Sequence, residues 1–246
     1  MLSSTGPRER ILVIGGYGAG KSTCATDIAK VARDRGTDLR LHVLDTTYEA
    51  ERNFLGYEDM VDVKTVESWP EYVKAVKQFK AKGRRQDWLV VDRADPAWDE
   101  VQAEYSRRAH GKEIDEWFLQ YRGEHGKGHA FSGEFGAQWG IIRRMYQEWI
   151  TPILTYPGNV LVTAKAKPVM DSDSEAVRKD FAKFGVRPAG EGNLGFQFHT
   201  TLHLAEKKQG EWVYTTIRDR GREQQKAREM VGFVVSYLMG VAGWKL

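Results

Sequence analysis

A chain of 246 residues, 41% hydrophobic and 29% charged, is ample to bury a core and suits one large α/β domain, or one domain with an insertion. A net charge of +3 excludes a nucleic-acid interface built on overall charge alone, so any such interface must come from local clusters. The single cysteine, Cys24, excludes an intrachain disulfide and fits a reducing compartment.

Residues 1–8 read as a flexible lead-in without the charged start and small-residue cleavage site of a secretory signal, which predicts a cytoplasmic protein. Residues 10–14, Arg-Ile-Leu-Val-Ile, form a short apolar, β-branched run and predict a buried strand. Residues 15–22, Gly-Gly-Tyr-Gly-Ala-Gly-Lys-Ser, then match G-x-x-x-x-G-K-[ST], the Walker A phosphate loop. Its glycines free backbone N–H groups to cradle phosphate oxygens. Lys21 reaches the β- and γ-phosphates, and Ser22 places a hydroxyl on Mg²⁺. The expected ATP contacts are therefore Gly15, Gly16, Tyr17, Gly18, Ala19, Gly20, Lys21, Ser22 and the adjoining Thr23. A helix over 22–35, with Ile28, Val31 and Ala32 at helical spacing and Gly36 as its stop, sets the phosphates on a helix N-terminus. Cys24, in the first turn, reads as a packed small residue rather than a redox switch.

Residues 39–44 predict a second strand closed by Asp45, followed by a short helix at 48–55 and a small strand at 61–66. Ser68, Pro70 and Glu71 spell a capping box with proline in the first turn, opening a helix that runs to 81. Residues 87–92, Asp-Trp-Leu-Val-Val-Asp, are an apolar strand ending in a carboxylate, the Walker B pattern, so Asp92 is expected to hold Mg²⁺ opposite Ser22. Arg93 follows, where some ATPases keep a water-activating Glu. The general base must then come from elsewhere. Glu49 is the first choice, Asp45 the second and Asp95 the third, with Asp99 and Glu100 in the same acidic run.

One charged helix is predicted over 97–121, a glycine-rich loop over 123–136, a long helix over 137–154 and a strand over 159–163 ending at Thr163. Residues 165–195 read as mainly irregular, with a short helix at 174–184. Residues 199–204 and 212–218 alternate in strand fashion around Gln209-Gly210 and predict a hairpin; 224–239 predict a final helix. The longest uncharged run, 230–244, is too short to span a bilayer. His42, His110, His199 and His203 show no metal-ligand spacing. Strands alternating with helices predict a mainly parallel sheet flanked by helices, an α/β fold, with Gly15, Asp45, Asp92 and Thr163 on one ligand-binding edge.

This order of features (P-loop, an acid after the second strand, Val-Val-Asp, a Thr-Ala-Lys strand end and a late hairpin) resembles the RecA-like P-loop NTPase core. It is similar, more narrowly, to compact phage-encoded RecA-like ATPases of DNA recombination and repair. The resemblance covers roughly residues 9–220 and implies a single RecA-like ATPase domain over 9–246. That family's catalytic Glu falls on Thr47 here, in Asp45-Thr46-Thr47, and this departure directs attention to Glu49. Its γ-phosphate-sensing position falls on Thr163 or Lys165, without the usual Gln. Its pair of basic residues falls on Arg218 and Arg220. The resemblance makes these arginine fingers for a neighbour's γ-phosphate, and so implies a homo-oligomer with nucleotide at the subunit interfaces. A solvated basic turn with Arg222 and Lys226 accounts for the same residues.

Two stretches are candidate mobile, DNA-contacting loops. Residues 122–136 carry Arg122, His125, Lys127 and His129. Residues 165–195 carry Lys165, Lys167, Arg178, Lys179, Lys183 and Arg187, with Phe181 and Phe184 to stack on bases, diluted by Asp171, Asp173, Glu175 and Asp180. The implied function is an Mg²⁺-dependent ATPase acting on single-stranded or branched DNA, away from membranes. A metal-dependent DNA nuclease using the acids of 92–100, and a small-molecule or nucleoside kinase with 122–136 as its lid, are the rival classes.

Overall fold

The computed structural model describes residues 8–125 and 135–243, with backbone alone at 122, 124–125 and 135–137. The lead-in 1–7 and the centre of the glycine-rich loop, 126–134, lie outside the described residues. In chain order the strands are β1 (Arg10–Gly15), β2 (Leu41–Asp45), β3 (Val61–Thr65), β4 (Trp88–Asp92), β5 (Asn159–Pro168), β6 (Val186–Pro188), β7 (Thr200–Lys208), β8 (Glu211–Asp219) and β9 (Glu229–Val231). The helices are α1 (Thr23–Asp34), α2 (Ala50–Asn53), α3 (Trp69–Lys82), α4 (Asp95–His110), α5 (Ile114–His125), α6 (Phe135–Leu154), α7 (Glu175–Phe181), α8 (Leu194–Gln197) and α9 (Val234–Gly240).

Among the described residues all nine strands join one sheet in the order β3-β2-β4-β5-β1-β7-β8-β9, with β6 paired to β5. Neighbours from β3 through β7 are parallel; β8 and β9 continue the sheet antiparallel. The fold is the expected α/β class, a mostly parallel sheet flanked by helices. The two-residue alternation of the strands sorts their side chains onto two faces. Leu12, Ile14, Leu89, Val91, Val160 and Val162 pack with Trp69, Val76, Phe79, Tyr146 and Trp149 of α3 and α6. Ile11, Val13, Val43, Trp88, Val90 and Leu161 pack on the other face with Ile28, Ala29 and Ala32 of α1 and Tyr237 and Leu238 of α9. Burial on both faces is why the central strands read as unbroken apolar runs.

Several boundaries depart from the sequence reading. The charged helix expected over 97–121 breaks at Gly111, whose φ of 67° ends α4 in the left-handed conformation. The segment 165–195 is more regular than expected, and the short helix expected at 174–184 is present as α7 followed by a 3₁₀ turn. Strand β5 continues to Pro168 and β6 returns against it, with α7 and α8 packed alongside. The final helix over 224–239 is replaced by a 3₁₀ turn, strand β9 and the short α9, because Met230 and Val231 pair with Tyr214 and Val213. The capping box and the hairpin are found as expected: Glu71 accepts from the Glu67 and Ser68 amides at 2.9 and 3.1 Å, and β7 turns into β8 at Gly210.

The return from α6 to β5 is tied down by Arg10. Its buried guanidinium donates to the carbonyls of Leu154, Tyr156, Gly158 and Glu9, which satisfies the carbonyls at the helix end. At Gly158 there is no room for a side chain, since a Cβ would lie 2.2 Å from the Asp87 carbonyl oxygen and 2.6 Å from that of Arg84. Gly158→Ala is therefore expected to destabilise by about 1–3 kcal/mol, whereas Gly192→Ala, with open space around it, stays within about 0.5 kcal/mol of wild type. Thermal or urea denaturation checks this, and equal melting of the two variants would contradict the packing described.

Candidate functional site

The parallel register brings the strand ends of β1, β2, β4 and β5 to one edge. Asp45 lies beside Asp92, Val91 beside Val162, and Val13 beside Thr163, while β1 runs two residues further to Gly15 opposite Lys165. The phosphate loop thus overhangs the edge on which Asp92 sits. Because β5 lies between β1 and β4, its Thr163 stands level with Val13 of β1 and beside the Walker B carboxylate.

The loop has the form that anion binding needs. Among the described residues, none of the backbone N–H groups of residues 16–22 has a hydrogen-bond acceptor. Unpaired amides ahead of a helix N-terminus make an anion-binding concavity. Gly16, Tyr17 and Gly18 are exposed, and a Cβ on Gly16 or Gly18 would meet nothing within 4 Å, so the approach is open. Tyr17 is fully exposed, Ala19 is buried, and Thr23 is exposed at the first position of α1. Gly15 closes the strand where a Cβ would strike the Leu204 carbonyl oxygen at 2.6 Å.

Lys21 is 9% exposed and donates to the Gly16 carbonyl at 2.6 Å. Burial and the neighbouring Arg93 charge lower its pKa; Asp92 and Asp95 act the other way. Asp92, 5% exposed, accepts from the Thr163 hydroxyl at 2.7 Å. Thr163 is itself fully buried. In this position its hydroxyl is engaged in holding Asp92.

The residues proposed as general base separate by geometry. Asp45 has both oxygens engaged: Oδ1 accepts from the Thr47 amide and hydroxyl at 2.8 and 2.9 Å, and Oδ2 from the Ala50 amide at 3.0 Å. It braces the turn that presents the next residues. Glu49 is exposed at the N-cap of α2; the pKa of Arg93 is raised chiefly by its bond to Asp95, with Asp92 and Glu49 adding smaller contributions. Asp95 is buried, ion-paired with Arg93 and bonded to the Lys165 amide at 3.1 Å. Burial pushes its pKa up, but the Arg93 contact and the amide outweigh that and hold it below the usual range.

Sequence reasoning missed Thr46. Its amide donates to the Asp92 carbonyl at 2.8 Å, its hydroxyl accepts from the Arg93 amide at 3.1 Å, and that hydroxyl also lies 3.0 Å from the Arg93 carbonyl oxygen. It clamps the backbone just after Asp92, where the peptide bond to Arg93 is cis. A threonine following an acid carries no pattern that would single it out. Cys24 is fully buried and its thiol is pushed up to about 12 by desolvation, as a packed residue requires.

Arg218 and Arg220 do not join this edge. Strand β8 runs back along β7, so Arg218 pairs with Thr201, level with Leu12, and the Arg220 amide donates to the His199 carbonyl. The pair lies towards the amino edge of the parallel strands, both side chains directed at Phe196: Arg218 stands 5.4 Å from its ring and Arg220 donates to its carbonyl at 2.7 Å. One guanidinium nitrogen of Arg218 is buried without a partner among the described residues. Of the expected base-stacking aromatics, Phe181 is buried against Phe196 and Gly195, which corrects that reading; Phe184 packs beside the core under Lys183. Arg187 is paired with Asp173, while Lys165, Arg178, Lys179 and Lys183 are exposed.

A family model described as an AAA domain matches residues 8–228. The chain belongs to the AAA domain family. It is thus a nucleotide-binding P-loop ATPase of the AAA type, and ATP with Mg²⁺ is the cofactor pair that this family generally uses. No curated protein matches the chain. The residues fit that pair: the unpaired amides of 16–22 with Lys21 would hold the phosphates, and Ser22 with Asp92 would hold Mg²⁺, which supplies charge neutralisation at the phosphates when bound. Among the described residues no helix is long and apolar enough to cross a membrane, and no cluster of three or more His, Cys, Asp or Glu side chains forms a metal site.

Lys21→Ala is expected to lower ATP turnover by about 100-fold or more while the fold is retained, and chelation of divalent cations to abolish it in the wild type. Phosphate release measured beside a melting curve checks both. Undiminished turnover in Lys21→Ala would remove the phosphate loop from the reaction.

Proposed function

We propose that this ATPase acts on DNA, single-stranded or branched, as a homo-oligomer of one RecA-like domain per chain serving recombination, repair or replication. In this reading the amides of 16–22 and Lys21 bind the triphosphate, Ser22 and Asp92 hold Mg²⁺, and Glu49 orients the attacking water. Glu49 is favoured over Asp45 because its carboxylate is exposed at the edge, whereas the Asp45 oxygens are spent on the turn.

The observation that carries the DNA reading is the position of Asp95. Its Oδ1 accepts from Arg93 Nε at 3.2 Å and from the Lys165 amide at 3.1 Å. One carboxylate therefore ties the residue that follows Asp92 to the strand that continues from Thr163 into Lys165 and Lys167. Past that strand, Arg178, Lys179 and Lys183 offer exposed cations for a phosphate backbone. A shift of Arg93 on ATP hydrolysis would pull on the base of this basic segment, so that hydrolysis alternates its grip on a DNA strand. The place of Arg218 and Arg220, away from their own phosphate loop, supports a role in a neighbouring subunit's site.

The test is the ATPase rate with and without single-stranded DNA, read beside light scattering. DNA is expected to raise turnover several-fold at low salt and lose that effect as salt rises, with a mass that is a multiple of 28.0 kDa. The double variant Lys179→Glu, Lys183→Glu is expected to lose the stimulation. A monomer whose rate ignores DNA would refute the reading, and phosphoryl transfer to a small acceptor would replace it with a kinase.

A further inference from the structure

The phosphate loop is braced from outside the region that the family model matches. Phe233 follows the end of that match at 228, yet it packs directly on the loop at Gly20. Gly20, the residue before Lys21, has φ of 80°. A Cβ placed there would lie 2.7 Å from Phe233 Cε1, 3.3 Å from Phe233 Cζ and 3.4 Å from Trp212 Cδ1. The two rings lie 5.5 Å apart, centroid to centroid. Behind them Cys24 joins the same contact, its thiol 3.7 Å from the Gly20 carbonyl oxygen.

This brace is anchored at both ends. Strand β9 pairs with β8 and the Gly232 amide donates to the Trp212 carbonyl at 2.9 Å, which fixes the approach of Phe233 to Trp212. At the far end α9 buries Val234, Tyr237 and Leu238. The Tyr237 hydroxyl donates to Asp219 at 2.6 Å and accepts from Arg222, which is ion-paired with Glu9 beside the start of β1. Phe233 is thus a ring on a fixed support, pressed against Gly20 where a side chain would otherwise stand.

We infer that Phe233, backed by Trp212, is a positioning residue of the ATPase, holding Gly20 and the adjoining amides in the conformation that receives the phosphates. The amides of 16–22 have no hydrogen-bond acceptors among the described residues, so beyond the Lys21 bond to the Gly16 carbonyl at 2.6 Å the loop's shape rests on packing. A loop ordered in advance binds without the cost of ordering at the moment of association. Loss of the ring removes that support without removing any group that meets the nucleotide, so ground-state and transition-state binding weaken together.

The experiment is steady-state ATPase kinetics of the full chain with direct nucleotide titration. Phe233→Ala is expected to raise KM and the ATP dissociation constant by about ten-fold with kcat within about two-fold of wild type, and Phe233→Tyr to restore wild-type values. A Phe233→Ala protein that melts as a folded chain and keeps wild-type KM overturns the inference, as does one that loses kcat with KM unchanged. Should Phe233→Ala fail to fold, Trp212→Leu carries the same expected rise in KM, and a wild-type KM in that variant overturns the inference equally.

Discussion

The buried hydrogen bond from the Thr163 hydroxyl to the Asp92 carboxylate is the contact on which the site depends. It exists only because β5 lies between the phosphate-loop strand and the Walker B strand, with Thr163 level with Val13 and beside Asp92. A hydrogen bond to a buried carboxylate is worth about 1.5–3 kcal/mol, more than a neutral pair. That energy fixes the rotamer of Asp92, the group that would hold Mg²⁺ with Ser22 in the proposed reading.

Around this bond the polar groups divide between holding and acting. Asp45 and Thr46 spend their hydrogen bonds on the two backbone stretches that meet at the edge, the 45–50 turn and the 92–93 peptide. Arg93 is neutralised by Asp95, which also fixes the start of the Lys165 segment. In the proposed reading Lys21, Asp92 and Glu49 are the groups left for chemistry. Their strand ends and loops are held by the register of a sheet buried on both faces, so the placement costs no ordering when nucleotide arrives. The brace at Phe233 extends the same logic to the loop itself.

Much of this was legible in the sequence because it rests on local rules. The P-loop, the apolar strands and the capping box of Ser68 and Glu71 are each specified by residues within a few positions of one another. The roles of Asp45 and Thr163 were not legible, since both depend on what stands across a strand gap: a sequence shows an acid or a threonine at a strand end, not whether its oxygens are already taken. The same holds for Phe181, whose helical neighbours are charged but whose ring meets Phe196 and Gly195. The end of the chain misled for a different reason. Residues 224–239 are apolar enough for a helix, but β8 exposes an edge that Met230 and Val231 pair with, and that pairing delivers Phe233 to the loop.

The most direct measurement is single-turnover ATP hydrolysis by Thr163→Val, set beside Thr163→Ser and the wild type, with nucleotide affinity measured in parallel. The valine keeps the buried shape and removes the donor to Asp92. The expected result is a rate at least about ten-fold lower with ATP affinity little changed, with near wild-type hydrolysis in Thr163→Ser. A Thr163→Val protein that hydrolyses ATP as fast as the wild type would contradict it.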